Sequence, residues 1–147
     1  MAGYGSSADA NHITQPAPGG EGGVRAMNEA IVNAEINTNQ IDYINAHGTS
    51  TPLNDKFETM AMKTVFGTEI NNIAISSTKS MTGHLLAASG AIEAAISVKS
   101  LNENIVPPTI NLNDSDPECD LNYTPNNSLH KNLSYTMSNS FGFGGHN

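Results

Sequence analysis

Residues 41–47 read Ile-Asp-Tyr-Ile-Asn-Ala-His, and residues 73–79 read Ile-Ala-Ile-Ser-Ser-Thr-Lys. Each is a short apolar run that gives way, at its carboxyl end, to residues able to do chemistry. Residues 41–46 predict one strand, and Ile73-Ala74-Ile75 predicts a second. Between them Asp55-x-x-Glu58 resembles a capping box, opening a helix that runs to Phe66 and stops at Gly67. Strand, helix and strand in that order imply parallel pairing through a right-handed crossover. The fold class is α/β. In such sheets, sites form beyond the carboxyl ends of the strands. His47 follows the first strand at once, Ser77-Thr78-Lys79-Ser80 follows the second, and His84 opens the next helix. Two histidines and a lysine are therefore expected on one sheet edge.

Outward from this unit, residues 1–23 are rich in Gly, Ser and Pro and read as a loop. Val24, Met27, Ile31 and Ala34 recur at helical spacing between Gly23 and about Asn37. A longer helix is expected from His84 to Asn104, ended by Pro107-Pro108. Its small face, Ala87, Gly90, Ala91, Ala94 and Ala95, predicts close packing against other backbone. Leu121–Thr124 and Tyr135–Asn139 are two further strand candidates, giving a mixed sheet of βαβαββ order flanked by helices. The end, Phe141-Gly142-Phe143-Gly144-Gly145, is glycine-rich, and no repeat period is present.

A chain of 147 residues suits one domain, spanning residues 1–147. With 14 acidic and 6 basic residues the net charge is −8, which argues against nucleic acid and against an anionic membrane surface. No apolar run reaches the ~18–20 residues of a transmembrane helix. The first residues have no basic or apolar signal region, and the single cysteine excludes an internal disulfide and fits a reducing compartment. A soluble, cytoplasmic protein is expected. Charged residues are only 14% of the chain, so its surface is either covered by neutral Asn, Ser and Thr or packed against more protein.

Two histidines at one edge suit zinc binding, acid–base work or donation to an oxyanion. Zinc needs a third protein ligand, and there is no C-x-x-C or H-E-x-x-H spacing; Cys119, Asp116 and Asp120 lie together in a loop. No metal is expected. A histidine at a helix N-terminus stays neutral and can donate an N–H to developing negative charge, one such donor being worth roughly 3–4 kcal/mol. Lys79 would help keep neighbouring imidazoles neutral. Taken singly, each histidine reads as a hydrogen-bonded structural residue and Lys79 as a surface lysine. Phe141 and Phe143, set between glycines, suit an acyl or thioester pocket better than a phosphate cradle. His12, His130 and Cys119 read as structural or surface residues.

Three blocks carry a family resemblance: Asn45-Ala46-His47-Gly48-Thr49-Ser50-Thr51-Pro52, Ser77-Thr78-Lys79-Ser80-Met81-Thr82-Gly83-His84, and Asn139-Ser140-Phe141-Gly142-Phe143-Gly144-Gly145. They resemble the signature blocks of the beta-ketoacyl-acyl-carrier-protein synthases. The wording around Lys79, and Val106-Pro107-Pro108-Thr109-Ile110-Asn111-Leu112, is most similar to the synthase II branch of bacterial fatty-acid elongation. Gly3-Tyr4-Gly5 and Asp9-Ala10-Asn11-His12-Ile13-Thr14 match as well. The resemblance implies the C-terminal half of a thiolase-like fold, with first and last strands clipped. It implies equally that the N-terminal half, which in the family bears the acyl-accepting cysteine, is absent. Cys119, in Asp116-Pro117-Glu118-Cys119-Asp120, does not have the nucleophile's setting.

The same resemblance implies roles. His47 and His84 would promote decarboxylation of malonyl-carrier and stabilise the enolate, with Lys79 supporting the charge balance. Glu93 would be a buried hydrogen-bond partner. Thr49 and Thr51 would contact the carrier's pantetheine arm, with His12 and Thr14 near its entrance. Phe143 would be a gating residue and Phe141 its neighbour. Where the family usually has Gly-Gly-Thr-Asn, this chain has Gly144-Gly145-His146-Asn147. The implied parent is a homodimer that condenses an acyl thioester with malonyl-carrier and needs no cofactor. Its partners are acyl carrier protein and the N-terminal half. This chain alone is expected to be inactive for condensation. The rival readings are a non-catalytic interaction module from a split or decaying gene, and a polyketide ketosynthase fragment.

Overall fold

Tyr43, Ile44 and Asn45 have no exposed surface, which a strand achieves only between two others and under cover on both faces. In the computed structural model, which describes residues 1–147, they form β1 (Tyr43–Asn45) at the centre of a three-stranded sheet. β2 (Ala74–Ser76) and β5 (Thr136–Ser138) flank it, both parallel, with Ile44 opposite Ile75 on one side and Met137 on the other. The α/β class and the parallel crossover are as expected.

Strand alternation gives the sheet two unlike faces. Ile44, Ala46, Ile75 and Met137 face the main core, which α1 (Glu21–Asn33) fills with Met27 and Ile31, and α2 (Pro52–Phe66) with Ala61, Met62 and Phe66. Tyr43, Asn45 and His47 share the alternating set of positions, and their side-chain partners include Ser76, Thr78, Lys79 and Glu93. Over this face lies α4 (Ser89–Glu103), which buries Ser89, Glu93, Ser97 and Ser100. A short α3 (Lys79–Thr82) follows β2.

Several expectations are corrected. The expected small face is not buried: Ala91, Ala94 and Ala95 on α4 and Ala87 just before it are exposed, along with Ile92 and Val98, and only Gly90 is half-buried. The helix turns its polar side inward because the sheet face beneath it is polar, and nothing in this chain packs on its alanines. It also starts later than expected, at Ser89, after a 3-10 turn at Leu86–Ala88, so His84 precedes the helix. α1 ends at Asn33 because Glu35 adopts a φ of 56°, which turns the chain out of the helix. Leu121–Thr124 forms no strand: Thr124 O accepts the Thr109 backbone N–H at 2.9 Å beside an isolated bridge of Thr109 to Pro125, and two hydroxyls add to it, Thr109 donating to Tyr123 O at 2.7 Å and Thr124 to Ile75 O at 2.8 Å. Antiparallel pairing occurs in a separate ladder of β3 (Ile105–Val106) with β4 (Leu129–His130), not within one mixed sheet. No helix is long and apolar enough to cross a membrane.

Candidate active site

The turn after β1 is held by one carboxylate. Glu58, on α2 and 3% exposed, accepts the backbone N–H of His47 at 2.8 Å and of Gly48 at 2.9 Å. Asn139, just past β5, donates to the same carboxylate at 3.2 Å. Burial raises the Glu58 carboxyl above its ordinary range, against the opposing pull of these donors. The capping box expected of Asp55 and Glu58 is therefore absent. α2 opens three residues earlier, on Pro52, and Asp55 accepts the Ser50 N–H at 3.2 Å. Gly48, at φ 43°, lies so close to the turn after β2 that a Cβ would stand 2.5 Å from Ser77 Cβ. Ser77 donates its hydroxyl to Gly48 O at 2.7 Å, so the two strand-end turns are tied together.

On this frame the sheet edge brings together His47, Lys79, His84 and Glu93. Lys79 and Glu93 form an ion pair with side chains 4% and 2% exposed. The Lys79 ammonium also stands 3.3 Å from His47 Nδ1. An ammonium has no acceptor, so it donates and the His47 ring carries its own proton on Nε2. Burial, then the Lys79 charge, then His84 lower the His47 pKa to about 3. His84 is exposed, and its Nδ1 accepts the Leu86 N–H at 3.1 Å and the Ser89 hydroxyl at 3.1 Å. Its neutral ring therefore also carries the proton on Nε2. The rings meet edge to face with centroids 5.5 Å apart. Two neutral imidazoles with Nε2–H groups unclaimed by protein can donate together to negative charge on one oxygen.

The lowered His47 pKa is also a statement about stability. Below pH 6.5 the unfolded chain takes up a proton that the folded ring refuses down to about pH 3. Stability therefore falls with pH across that window, by at most about 1.4 kcal/mol per unit. Urea titrations between pH 6.5 and about 5 are expected to show a steeper loss in the parent than in His47→Gln. Equal slopes would mean the ring is solvated.

Phe141 packs on His47 with ring centroids 5.5 Å apart, whereas Phe143 projects outward, 78% exposed. Thr49 and Thr51 share a hydroxyl hydrogen bond of 2.9 Å on the loop beyond His47. His12 turns inward on its own loop, its Nδ1 accepting the N–H of Thr14 at 3.1 Å and of Gln15 at 3.2 Å. That loop is joined to the glycine turn by Gly144 N–H donating to Ile13 O at 2.7 Å. The exposed His146 pairs its backbone with Gly142 and Ala8. Asn139 and Glu58 are the site residues that sequence reasoning missed. A Glu nearly two turns into a helix gives no sign that it will reach a strand end.

Cys119 lies apart from the histidines, in a cavity of about 610 Å³ between α2 and the 112–125 loop whose lining also includes Glu58 and Tyr123. Burial raises its thiol pKa, the opposite of what a nucleophile needs. Neither His47 nor His84 lines that cavity. Of the pair, His84 is exposed and His47 buried. No three His, Cys, Asp or Glu side chains are grouped as metal ligands.

The family profile described as beta-ketoacyl synthase, C-terminal domain, matches residues 1–113. Two curated relatives, both called 3-oxoacyl-[acyl-carrier-protein] synthase 2, come from Synechocystis sp. and Staphylococcus aureus. They are 54% and 52% identical to this chain over 147 residues. All of this chain is covered, but only 35% and 36% of those proteins. A beta-ketoacyl synthase from Burkholderia phymatum superposes with a TM-score of 0.91 at 40% identity, covering 99% of this chain and 35% of that one. A type II polyketide ketosynthase, solved with its acyl-carrier protein and bound to the hexaketide, superposes at 0.96 and 40% identity, with 99% and 36% covered. The chain thus spans little more than a third of the proteins it matches.

Proposed function

This chain belongs to the beta-ketoacyl synthase family through its C-terminal domain, and from that we propose that it is the histidine-bearing part of a condensing enzyme of fatty-acid elongation. The single observation that carries the reading is the meeting of His47 and His84, 5.5 Å apart, with a buried lysine behind one of them. In the whole enzyme an acyl group waits as a thioester on a cysteine supplied by the N-terminal part. Malonyl-carrier enters, loses carbon dioxide, and the electron pair of the broken bond forms an enolate. The two Nε2–H groups donate to the thioester oxygen where that negative charge collects, and Lys79 keeps His47 a neutral donor. The enolate carbon then attacks the acyl thioester, and the cysteine leaves as thiolate. Covalent capture divides one difficult step into two.

Thr49 and Thr51, with His12 and Thr14, line the approach of the carrier's pantetheine arm, and Phe143 moves at its mouth. Acyl carrier protein is the partner, in a homodimeric enzyme of the cytoplasm. The N-terminal part covers the bare alanine face of α4 and the exposed ring of His84, which accounts for their exposure in this chain. The domain comprises residues 1–147. A polyketide ketosynthase is the second reading, supported by the 0.96 superposition. The 54% identity to a fatty-acid synthase relative, against 40% to that ketosynthase, favours elongation.

The test joins this chain to the cysteine-bearing N-terminal part of the Staphylococcus aureus relative and assays acyl- and malonyl-carrier condensation. Ketoacyl product is expected from the fusion and none from the chain alone. Product from the chain alone, or a folded fusion that decarboxylates and condenses nothing, overturns the reading.

A further inference from the structure

We propose that Asn45 is a positioning residue, one side-chain amide that holds the segments carrying Lys79 and Glu93 in register with the strand that carries His47. It rests on the catalytic reading of those three groups. Asn45 is the last residue of β1 and stands two before His47, at the alternating position that points to the same face of the sheet. Its Oδ1 accepts the Thr78 hydroxyl at 3.2 Å, and Thr78 directly precedes Lys79. Its Nδ2 donates to the backbone carbonyl of Glu93 at 3.4 Å. A single amide therefore touches the strand of the imidazole, the turn of the cation and the helix of the counter-ion.

Asn45 and Thr78 are 0% exposed and Glu93 is 2% exposed, so bulk water cannot freely replace a lost contact. Its neutral amide offers a donor to one neighbour and an acceptor to the other. A carboxylate loses the donor, and a hydrocarbon loses both. The contact it protects is a sensitive one. Lys79 Nζ lies 3.3 Å from His47 Nδ1, near the outer limit of a hydrogen bond, so a small drift of Lys79 ends it. That donation is what keeps the ring proton of His47 on Nε2, where the chemistry needs it. The charged and titratable groups around His47 are Lys79 from α3, His84 from the segment before α4, Glu93 from α4 through Lys79, and Glu58 from α2 at its backbone. Asn45 adds no charge of its own. It acts by placement.

The experiment is nitrogen-15 NMR of the histidine rings in the full 147-residue chain, comparing the parent with Thr78→Val, Thr78→Ser and Asn45→Leu. The parent is expected to hold His47 as the Nε2–H tautomer. Thr78→Val removes one side of the bridge and Asn45→Leu removes both, and each is expected to raise the Nδ1–H form about tenfold or more, the effect of losing at least one hydrogen bond. Thr78→Ser keeps the hydroxyl and restores the parent pattern. His84, whose tautomer is set by Leu86 and Ser89, reports that each variant remains folded. An unchanged His47 beside a native His84 in Thr78→Val and Asn45→Leu overturns the proposal, as does Thr78→Ser behaving like Thr78→Val. Neither result bears on whether the fusion condenses, so the two readings fail separately.

Discussion

Lys79→Met is expected to cost the chain about 3–5 kcal/mol of stability, the usual loss when one member of a buried ion pair is removed. Lys79 and Glu93 have side chains only 4% and 2% exposed, and the ammonium is the one side-chain partner of the Glu93 carboxylate. The second oxygen, Oε2, already has no hydrogen-bond partner. Removing the lysine strands the whole carboxylate in a layer that water does not reach. For a domain whose total stability is about 5–15 kcal/mol, a loss of that size approaches unfolding at room temperature. The double variant Lys79→Met, Glu93→Leu is expected to regain most of the loss, because two apolar side chains of similar volume need no solvation. Urea denaturation of the three proteins decides the matter. A single variant within about 1 kcal/mol of the parent would mean that the pair is exposed to solvent.

In the fused enzyme, His84→Ala is expected to slow condensation by about 10²–10³, the effect of removing one donor from developing negative charge. Acyl transfer to the cysteine should survive, since His84 is assigned to the second step. Stability should hardly change, because the ring is exposed and only its Nδ1 is engaged, with Leu86 and Ser89. His47→Ala gives a different signature: a comparable loss of rate together with a loss of stability, because that ring is 6% exposed and packs against Phe141. Stopped-flow acylation, steady-state condensation and urea midpoints separate the two. An equal drop in both half-reactions of His84→Ala would assign it to acyl transfer instead.

The sequence made the edge of the sheet legible because strand, chemistry and turn follow one another within a few residues. His47, Lys79 and His84 needed no knowledge of distant contacts, and neither did the parallel crossover. What depended on distant partners was lost. Glu58 has the i, i+3 spacing of a capping box, yet its carboxylate serves a strand-end turn ten and eleven residues away along the chain. The β3–β4 ladder joins Val106 to Leu129 across a long loop, and two residues on each side are too few to leave a period. α4 departs from its sequence pattern for a subtler reason. Small apolar residues along one stripe suggest the buried side, but the sheet beneath presents Tyr43, Asn45 and His47, and serines with one glutamate suit that floor better. Asn45 was visible only as a letter in a motif.

α4 is specified twice, by two surfaces that answer to different judges. Its inward row of Ser89, Glu93, Ser97 and Ser100 is fixed by the layer it completes within these residues. Its outward stripe of alanines is fixed by nothing in this chain. A mutational scan scored by folding of the chain alone would therefore report half the helix as free to vary. That apparent tolerance would measure the boundary of the assay, and under the proposal that an N-terminal part covers the stripe, the same positions become intolerant once scored by assembly.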